Sequence, residues 1–288
     1  MREEYTVKEL CQALEVSSSG YYQWRARGVG RRHRQNQCLV AEMERIHEDR
    51  YLRSYGSPRM TVELRERGFP CSENRVARLM SRNGLRARRG RSYRPKTTQC
   101  DPQSVPAPNR LAEAAEPTKP GQILVSDITY IATRQGWLYL AVVMDLFGRV
   151  VQGYKIAENL ATDLVVSTLH QAHNRVGNLH QALFHSDRGS QYTSRQMRRE
   201  LNAMGWTQSM SAQGYCYDNA FCESFFATLK NECFPQNGVF ENKHQARMAI
   251  FEYMETFYNK RRRHSSLGYL SPEAFLKKYF HKQNQNLN

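Results

Sequence analysis

The chain has 288 residues, 40% of them hydrophobic, and no apolar run of eighteen or more, which excludes a membrane-spanning helix and allows one large core plus a smaller unit. Its formal charge is +15, and the charge is uneven: 22 Lys+Arg face 11 Asp+Glu in residues 1–100, against 20 and 16 in residues 101–288. The early positive residues are nearly all arginine, which forks onto phosphates and guanine edges, so a nucleic-acid partner is expected there; a plain solvated basic surface is the alternative.

Residues 1–30 predict two short helices. Thr6 and Glu9 have capping-box spacing, and Val7, Leu10, Cys11 and Leu14 make one apolar face. Ser17 is the candidate cap of the second helix, which carries Tyr21, Tyr22 and Trp24. A helix-turn-helix-like segment and a plain helical hairpin both fit.

Residues 31–96 predict a basic helix-turn-helix unit. A helix over 36–50 puts Leu39, Met43 and Ile46 on one face. Ser57 as cap and Pro58 at the first helical position start the next helix, and Gly68 stops it. Ser72 and Gly84 bracket a third, with Val76, Leu79 and Met80 inward. Arg75, Arg78 and Arg82 lie at i, i+3 and i+7 on another face, placed for phosphates or a major groove. Residues 97–119 have no usable period and are rich in Pro, Ala and Gln, which predicts an extended linker.

From residue 120 to 282 the pattern is that of an α/β core. Three β-rich runs, ILVSDITYIA, GWLYLAVVMDL and RVVQGYKIA, predict an antiparallel meander. Helix 162–174, strand ALFHSD, helix 194–204 and strand WTQSMS follow. Long helices are expected over 219–233 and 242–261, and a short one after Ser271 and Pro272. The sum is a mixed five-stranded sheet flanked by helices.

Three carboxylates stand where chemistry could use them. Asp127 lies inside the first strand, Asp187 ends the fourth, and Glu223 sits in the helix YDNAFCESFFATLK. On that helix Asn219, Glu223 and Lys230 fall within about 40° of one another, and Phe221, Phe225 and Leu229 are expected in the core on the other side. Converging acids repel unless divalent cations separate them, and hard oxygen donors suit Mg²⁺ or Mn²⁺. Two such ions are suited to phosphoryl transfer. By spacing alone the acids could instead have separate tasks: a strand-end hydrogen-bonder, a turn former and a wet-face residue. Asp145 is a competitor, read as a turn residue that pairs with Arg149.

The motifs DITYI, HSDRGSQY, YDNAFCESFFATLK and YNKRRRHSSLGYLSPEAF, with 35 residues between Asp187 and Glu223, closely resemble the DDE transposases of bacterial insertion sequences. The subgroup is the second-reading-frame protein with a retroviral-integrase-like core, and SYGSPRMTVELRERGF with RVARLMSRNGL resembles its helix-turn-helix segment. The resemblance implies a ribonuclease-H-like core with Asp127, Asp187 and Glu223 as catalytic metal ligands for two Mg²⁺ or Mn²⁺ ions. It also implies that Lys230 contacts DNA near the active site; Arg188, Asn219 and His264, inside the same motifs, are expected to contact DNA as well. Ala212, Gln213, Tyr215 and Cys222 depart from the family pattern.

The implied reaction cuts DNA at element ends and joins the freed 3′-hydroxyl to target DNA. A simple metal-dependent nuclease and a catalytically silent DNA-binding repressor remain as alternatives. The chain lacks a sustained apolar heptad, so the resemblance implies an upstream-frame protein or fusion segment as partner, and a homo-oligomer assembled on DNA. Seven scattered cysteines and no apolar leader predict reduced thiols, no structural zinc site and a cytoplasmic, nucleoid-associated protein.

Overall fold

Contacts divide the chain into two compact units, Met1–Ala87 and Arg88–Asn288. The computed structural model describes residues 5–26, 30–88, 106–177, 181–212 and 220–285. Among these, no helix is long and apolar enough to cross a membrane. Cys11, Cys38, Cys71, Cys222 and Cys233 are free thiols; Cys100 and Cys216 lie outside the described residues.

Local capping starts the first unit as expected. Thr6 Oγ1 accepts from the Glu9 amide and the Glu9 carboxylate accepts the Thr6 amide at 2.7 Å, opening α1 (Val7–Ala13). Ser17 Oγ accepts from the Gly20 amide at 3.2 Å ahead of α2 (Ser18–Ala26). Helix α3 (Arg31–Glu48) buries Leu39, Met43 and Ile46. Helix α4 (Ser57–Glu66) corrects one expectation: Gly56 is the N-cap in extended backbone, and Ser57 is already helical, its carbonyl accepting Thr61 Oγ1 at 2.7 Å. Ser72 Oγ caps α5 (Glu73–Arg82), whose Val76, Leu79 and Met80 are buried. Helices α3, α4 and α5 pack on one another around Tyr55, Met60 and Leu64.

The second unit is built on a sheet of order β3-β2-β1-β4-β5. Strands β1 (Ile123–Thr133), β2 (Gly136–Asp145) and β3 (Val151–Ala157) form the expected antiparallel meander. Strands β4 (Leu183–Ser186) and β5 (Thr207–Met210) run parallel to β1. This is the ribonuclease-H-like arrangement, with five main strands and helices on both faces.

Helix α6 (Thr162–Val176) lies across β2 and β3, followed by the short α7 (Ser190–Thr193) and by α8 (Arg195–Ala203). Leu124, Ala141 and Val143 share one buried cluster with Leu169, Tyr192, Met197 and Leu201 from these helices. Period-two alternation then turns Val125 and Asp127 to the other face, where α9 (Ala220–Cys233) and α10 (Lys243–Glu252) meet β1.

Several features exceed the local pattern. A sixth strand, β6 (Val239–Phe240), pairs with β1 at Ala132 and Thr133. The helix expected over 242–261 changes winding: α10 gives way to a π-helical segment, Tyr253–Tyr258, which buries Tyr253, Met254, Phe257 and Tyr258 together. Helix α11 (Pro272–Gln285) has 14 residues where a short helix was expected, held by rings of Phe275 and Tyr279 against Phe147. Asp145 feels the Arg149 charge as expected, but backbone amides hold it more strongly. Its carboxylate, fully buried, accepts the amides of Gly121 at 2.8 Å and Gly148 at 2.7 Å, while the Arg149 guanidinium lies over the Phe221 ring.

Gly153 in β3 lies where sheet and helix approach closely. A Cβ there would sit 2.5 Å from the Thr168 carbonyl oxygen and 2.9 Å from the Ala172 amide nitrogen, both backbone atoms of α6. Backbone cannot step aside as a side-chain tip can. Gly153→Ala is expected to destabilise the second unit by about 3 kcal/mol, the upper end of overpacking costs. Thermal unfolding checks this; an unchanged melting temperature would contradict the close packing.

Candidate active site

Strand register places the first two acids. In the parallel pair, Ile123, Leu124 and Val125 face Leu183, Phe184 and His185, so two further steps bring Asp127 opposite Asp187. Neighbouring strands are about 4.8 Å apart. Strand β4 ends at Ser186 and β6 joins β1 only at Ala132, so among the described residues no strand pairs with this edge of β1 around Asp127. The gap at the carboxyl end of β4 is where an open sheet presents side chains to a ligand.

Backbone amides hold the carboxylates. Asp127 Oδ1 accepts the Ile128 amide at 2.8 Å, and Asp187 Oδ1 accepts the Gly189 amide at 3.0 Å. A Cβ on Gly189 would stand 3.1 Å from that same oxygen, so the absent side chain keeps the turn open.

Helix α9 supplies the third acid. Glu223 is exposed, whereas Cys222, Phe225, Phe226 and Leu229 are buried. The glutamate in an aromatic helix is therefore on the wet stripe. Phe221 is a correction to the expected core face: it is 38% exposed, and Arg149 covers its ring at 4.3 Å. An extra aromatic at the first turn of a helix has no layer beneath it, so it stacks on a cation instead.

The electrostatics tie these groups together. Burial raises the proton affinity of Asp127 most; the charges of Asp187 and then Glu223 raise it further, against the Ile128 hydrogen bond and Lys230. Burial lowers the pKa of Lys230, which Asp127 opposes. Burial raises the Cys222 thiol, and Asp127, Asp187 and Glu223 add to it. Three acids and one lysine thus share one field. Among the described residues no three His, Cys, Asp or Glu side chains are gathered closely enough to hold a metal ion as they stand. The donor set still fits a hard divalent cation: all three are carboxylates, and the share of Asp127's raised proton affinity that comes from Asp187 and Glu223 is repulsion that such a cation would relieve.

Two supporting residues lie at the ends of the motif HSDRGSQY, but no role was read for them from the sequence. Tyr192 Oη meets Ser126 Oγ at 2.8 Å on the far face of β1, tying the turn after Asp187 to the strand of Asp127. His185 is fully buried between Ser209 Oγ, 2.8 Å from Nδ1, and Ser211 Oγ, 3.2 Å from Nε2. Ser209 Oγ also accepts the amides of Arg110 at 3.0 Å and Leu111 at 3.2 Å.

The remaining expected DNA contacts are dispersed. Arg78 and Arg82 are exposed on α5. Arg75 is half-buried, and its Nε and Nη2 donate to Asn36 Oδ1 at 2.9 and 2.8 Å. Arg188 Nε donates to the Ser211 carbonyl at 2.7 Å. His264 packs edge-on against Tyr258, with Arg262 Nη1 3.2 Å from its Nε2. Asn219 lies outside the described residues.

Comparison with known families matches residues 117–216 and 204–272 to two integrase core domain models, and residues 33–93 to an HTH-like domain. The insertion element IS600 uncharacterized 31 kDa protein of Shigella sonnei is 39% identical over 270 residues, covering 94% of this chain and 98% of its own. Transposase InsF for insertion sequence IS3A of Escherichia coli (strain K12) is 37% identical over 278 residues, covering 94% of each. The chain belongs to the DDE transposases of IS3-type insertion sequences. This is a family of enzymes that act on DNA, and the transposase joins its two regions, HTH-like and integrase core, in the order the motifs predict. Among solved structures, a chain of the simian T-cell lymphotropic virus intasome is 15% identical, with 68% of this chain and 65% of that one matched at a TM-score of 0.40.

Proposed function

We propose that this transposase cuts DNA at the ends of its element and joins the freed 3′-hydroxyl to target DNA by phosphoryl transfer at Asp127, Asp187 and Glu223. The observation that carries the reading is the shared field of these three acids and Lys230 at the open edge of β1. The three carboxylates would hold two Mg²⁺ or Mn²⁺ ions. Bound there, such ions activate an attacking water or hydroxyl and offset charge on the leaving oxygen.

The chain's own residues set up the rest. The Ile128 and Gly189 amides aim the two aspartates. Glu223, exposed on α9, is free to approach them, and Lys230 brings the positive charge that a phosphodiester needs beside three acids. Each of the two steps exchanges one phosphorus–oxygen bond for another, so no covalent protein intermediate is required.

DNA recognition is assigned to the basic helical unit, with Arg78 and Arg82 foremost and Arg75 limited by its bond to Asn36. Lys230, Arg188, Asn219 and His264 are assigned to DNA near the active site, with an upstream-frame segment and further copies of the chain completing the complex. Replacing Arg78 and Arg82 together by alanine is expected to weaken DNA binding about equally for all sequences. The slope of log affinity against log salt should fall by about 2, one per phosphate contact. An unchanged slope would remove both residues from the interface.

The deciding experiment incubates the chain with labelled element-end DNA and Mg²⁺. Joined products support the proposal. Cleavage without joining would reduce it to a nuclease, and binding without cleavage to a repressor.

A further inference from the structure

A second acid lies on α9, on the side opposite Glu223. Glu232 follows Glu223 by nine residues, which at 100° per residue is half a rotation about the helix axis. It is 2% exposed. Its carboxylate takes two arms of Arg262: Nε donates to Oε2 at 2.8 Å and Nη2 to Oε1 at 2.9 Å. Tyr253 Oη donates to Oε2 at 2.7 Å. Arg262 is 4% exposed and Tyr253 fully buried; Tyr253 opens the π-helical segment and Arg262 follows its end by four residues. There the amides of Arg261 and Arg262 both turn to the Phe257 carbonyl, at 2.8 and 2.9 Å, which swings Arg262 inward.

We propose that the Glu232–Arg262 fork is a positioning element of the active site: it fixes the rotation of α9 and so turns Glu223 and Lys230 toward Asp127. The remaining buried face of α9 is Cys222, Phe225, Phe226, Leu229 and Cys233, apolar but for one weak bond from Cys233 Sγ to the Ala249 carbonyl at 3.4 Å. Apolar burial is non-directional, and a roll of ~20° leaves most of that area covered. The same roll moves a carboxylate at the helix rim by about 2 Å. A two-armed charge-assisted bond tolerates no such roll, because both arms must stay in plane and in reach. Stability alone does not explain a buried pair at this place, since well-packed apolar residues of similar volume generally do as well. Lys230 lies within 20° of Glu223 on the helix wheel, so one fork sets both.

The inference rests on the phosphoryl-transfer reading for what Glu223 does, but not for how α9 is held. The test uses the full chain with Glu232→Met and Arg262→Leu combined, beside a control, Ile250→Val, that trims a fully buried side chain of α10. The paired variant should fold and bind element-end DNA with a Kd within about twofold of the unaltered chain. Its kcat for Mg²⁺-dependent cleavage should fall by roughly 10–100-fold, as misplacement on this scale does. Cys222, fully buried beside Glu223, should react with a maleimide several-fold faster in the paired variant and stay protected in the control. Unchanged kcat with unchanged Cys222 protection would overturn the proposal, and so would an equal loss of kcat in the control. An unaltered chain inert on every DNA would overturn the phosphoryl-transfer reading instead, and the Cys222 rates would still decide the fork.

Discussion

Asp127→Asn should abolish cleavage and joining and, in the same protein without metal, raise the melting temperature. The loss in rate is expected to reach at least roughly 10³-fold, about 4 kcal/mol of transition-state stabilisation at 1.36 kcal/mol per decade. Asp187→Asn and Glu223→Gln should do the same to activity, with DNA affinity nearly unchanged because binding rests on arginines elsewhere. The rise in stability follows from the field at the site. Burial and the charges of Asp187 and Glu223 make the folded chain hold the Asp127 proton more tightly than the unfolded chain does. A group whose pKa is raised on folding contributes stability below its unfolded pKa and loses it as pH rises through the folded value. The advantage of Asp127→Asn should therefore appear as pH climbs above the ordinary aspartate value of about 3.9, and level off above the raised one. Added Mg²⁺ should stabilise the unaltered chain more than the variant, since a ligand that binds only the folded state shifts unfolding by mass action. Near-normal joining by Glu223→Gln would sink the assignment of the acids. A melting-temperature difference that does not vary with pH would sink the account of their repulsion.

Arg262→Ala alone should be the most destabilising single change in the integrase core. It strands Glu232, 2% exposed, with its two strongest donors gone. Removing one partner of a buried ion pair typically costs 3–5 kcal/mol. For a domain of this size that is a fall of roughly 6–20 °C in melting temperature. Glu232→Ala should cost a similar amount, because it strands the guanidinium. The two losses should not add: with both partners gone no charge is left buried, so a double-mutant cycle should show strong coupling. Thermal unfolding of the three variants is the measurement. Additive losses would mean that the two side chains stabilise the core separately, through packing alone.

Much of the architecture is legible in the sequence, because it depends on neighbours along the chain. The meander of β1 to β3 follows from three β-rich runs with short turns. The Thr6–Glu9 box and the Ser72 cap follow from a donor and an acceptor three residues apart. Asp127, Asp187 and Glu223 stood out because apolar or glycine-containing surroundings make a carboxylate conspicuous, and the resembled family supplied their shared role. Other features rest on partners distant in the chain, which no periodicity encodes. Arg75, expected to face DNA, also donates from its guanidinium to Asn36, 39 positions away. Asp145 was expected to hold Arg149 and does feel its charge, but it is held first by the amides of Gly121 and Gly148, which no local spacing announces. Strand β6 is two residues long and exists only because β1 offers it an edge. The π-helical turn and the Glu232–Arg262 fork require α9 and the segment after α10 to lie side by side. Sequence by itself determined which segments are helix or strand and which acids are candidates for chemistry, since those depend on local propensity and spacing. Only the tertiary structure decided which charges are met inside the protein and which stay open to a ligand, because that depends on what the fold packs against each of them.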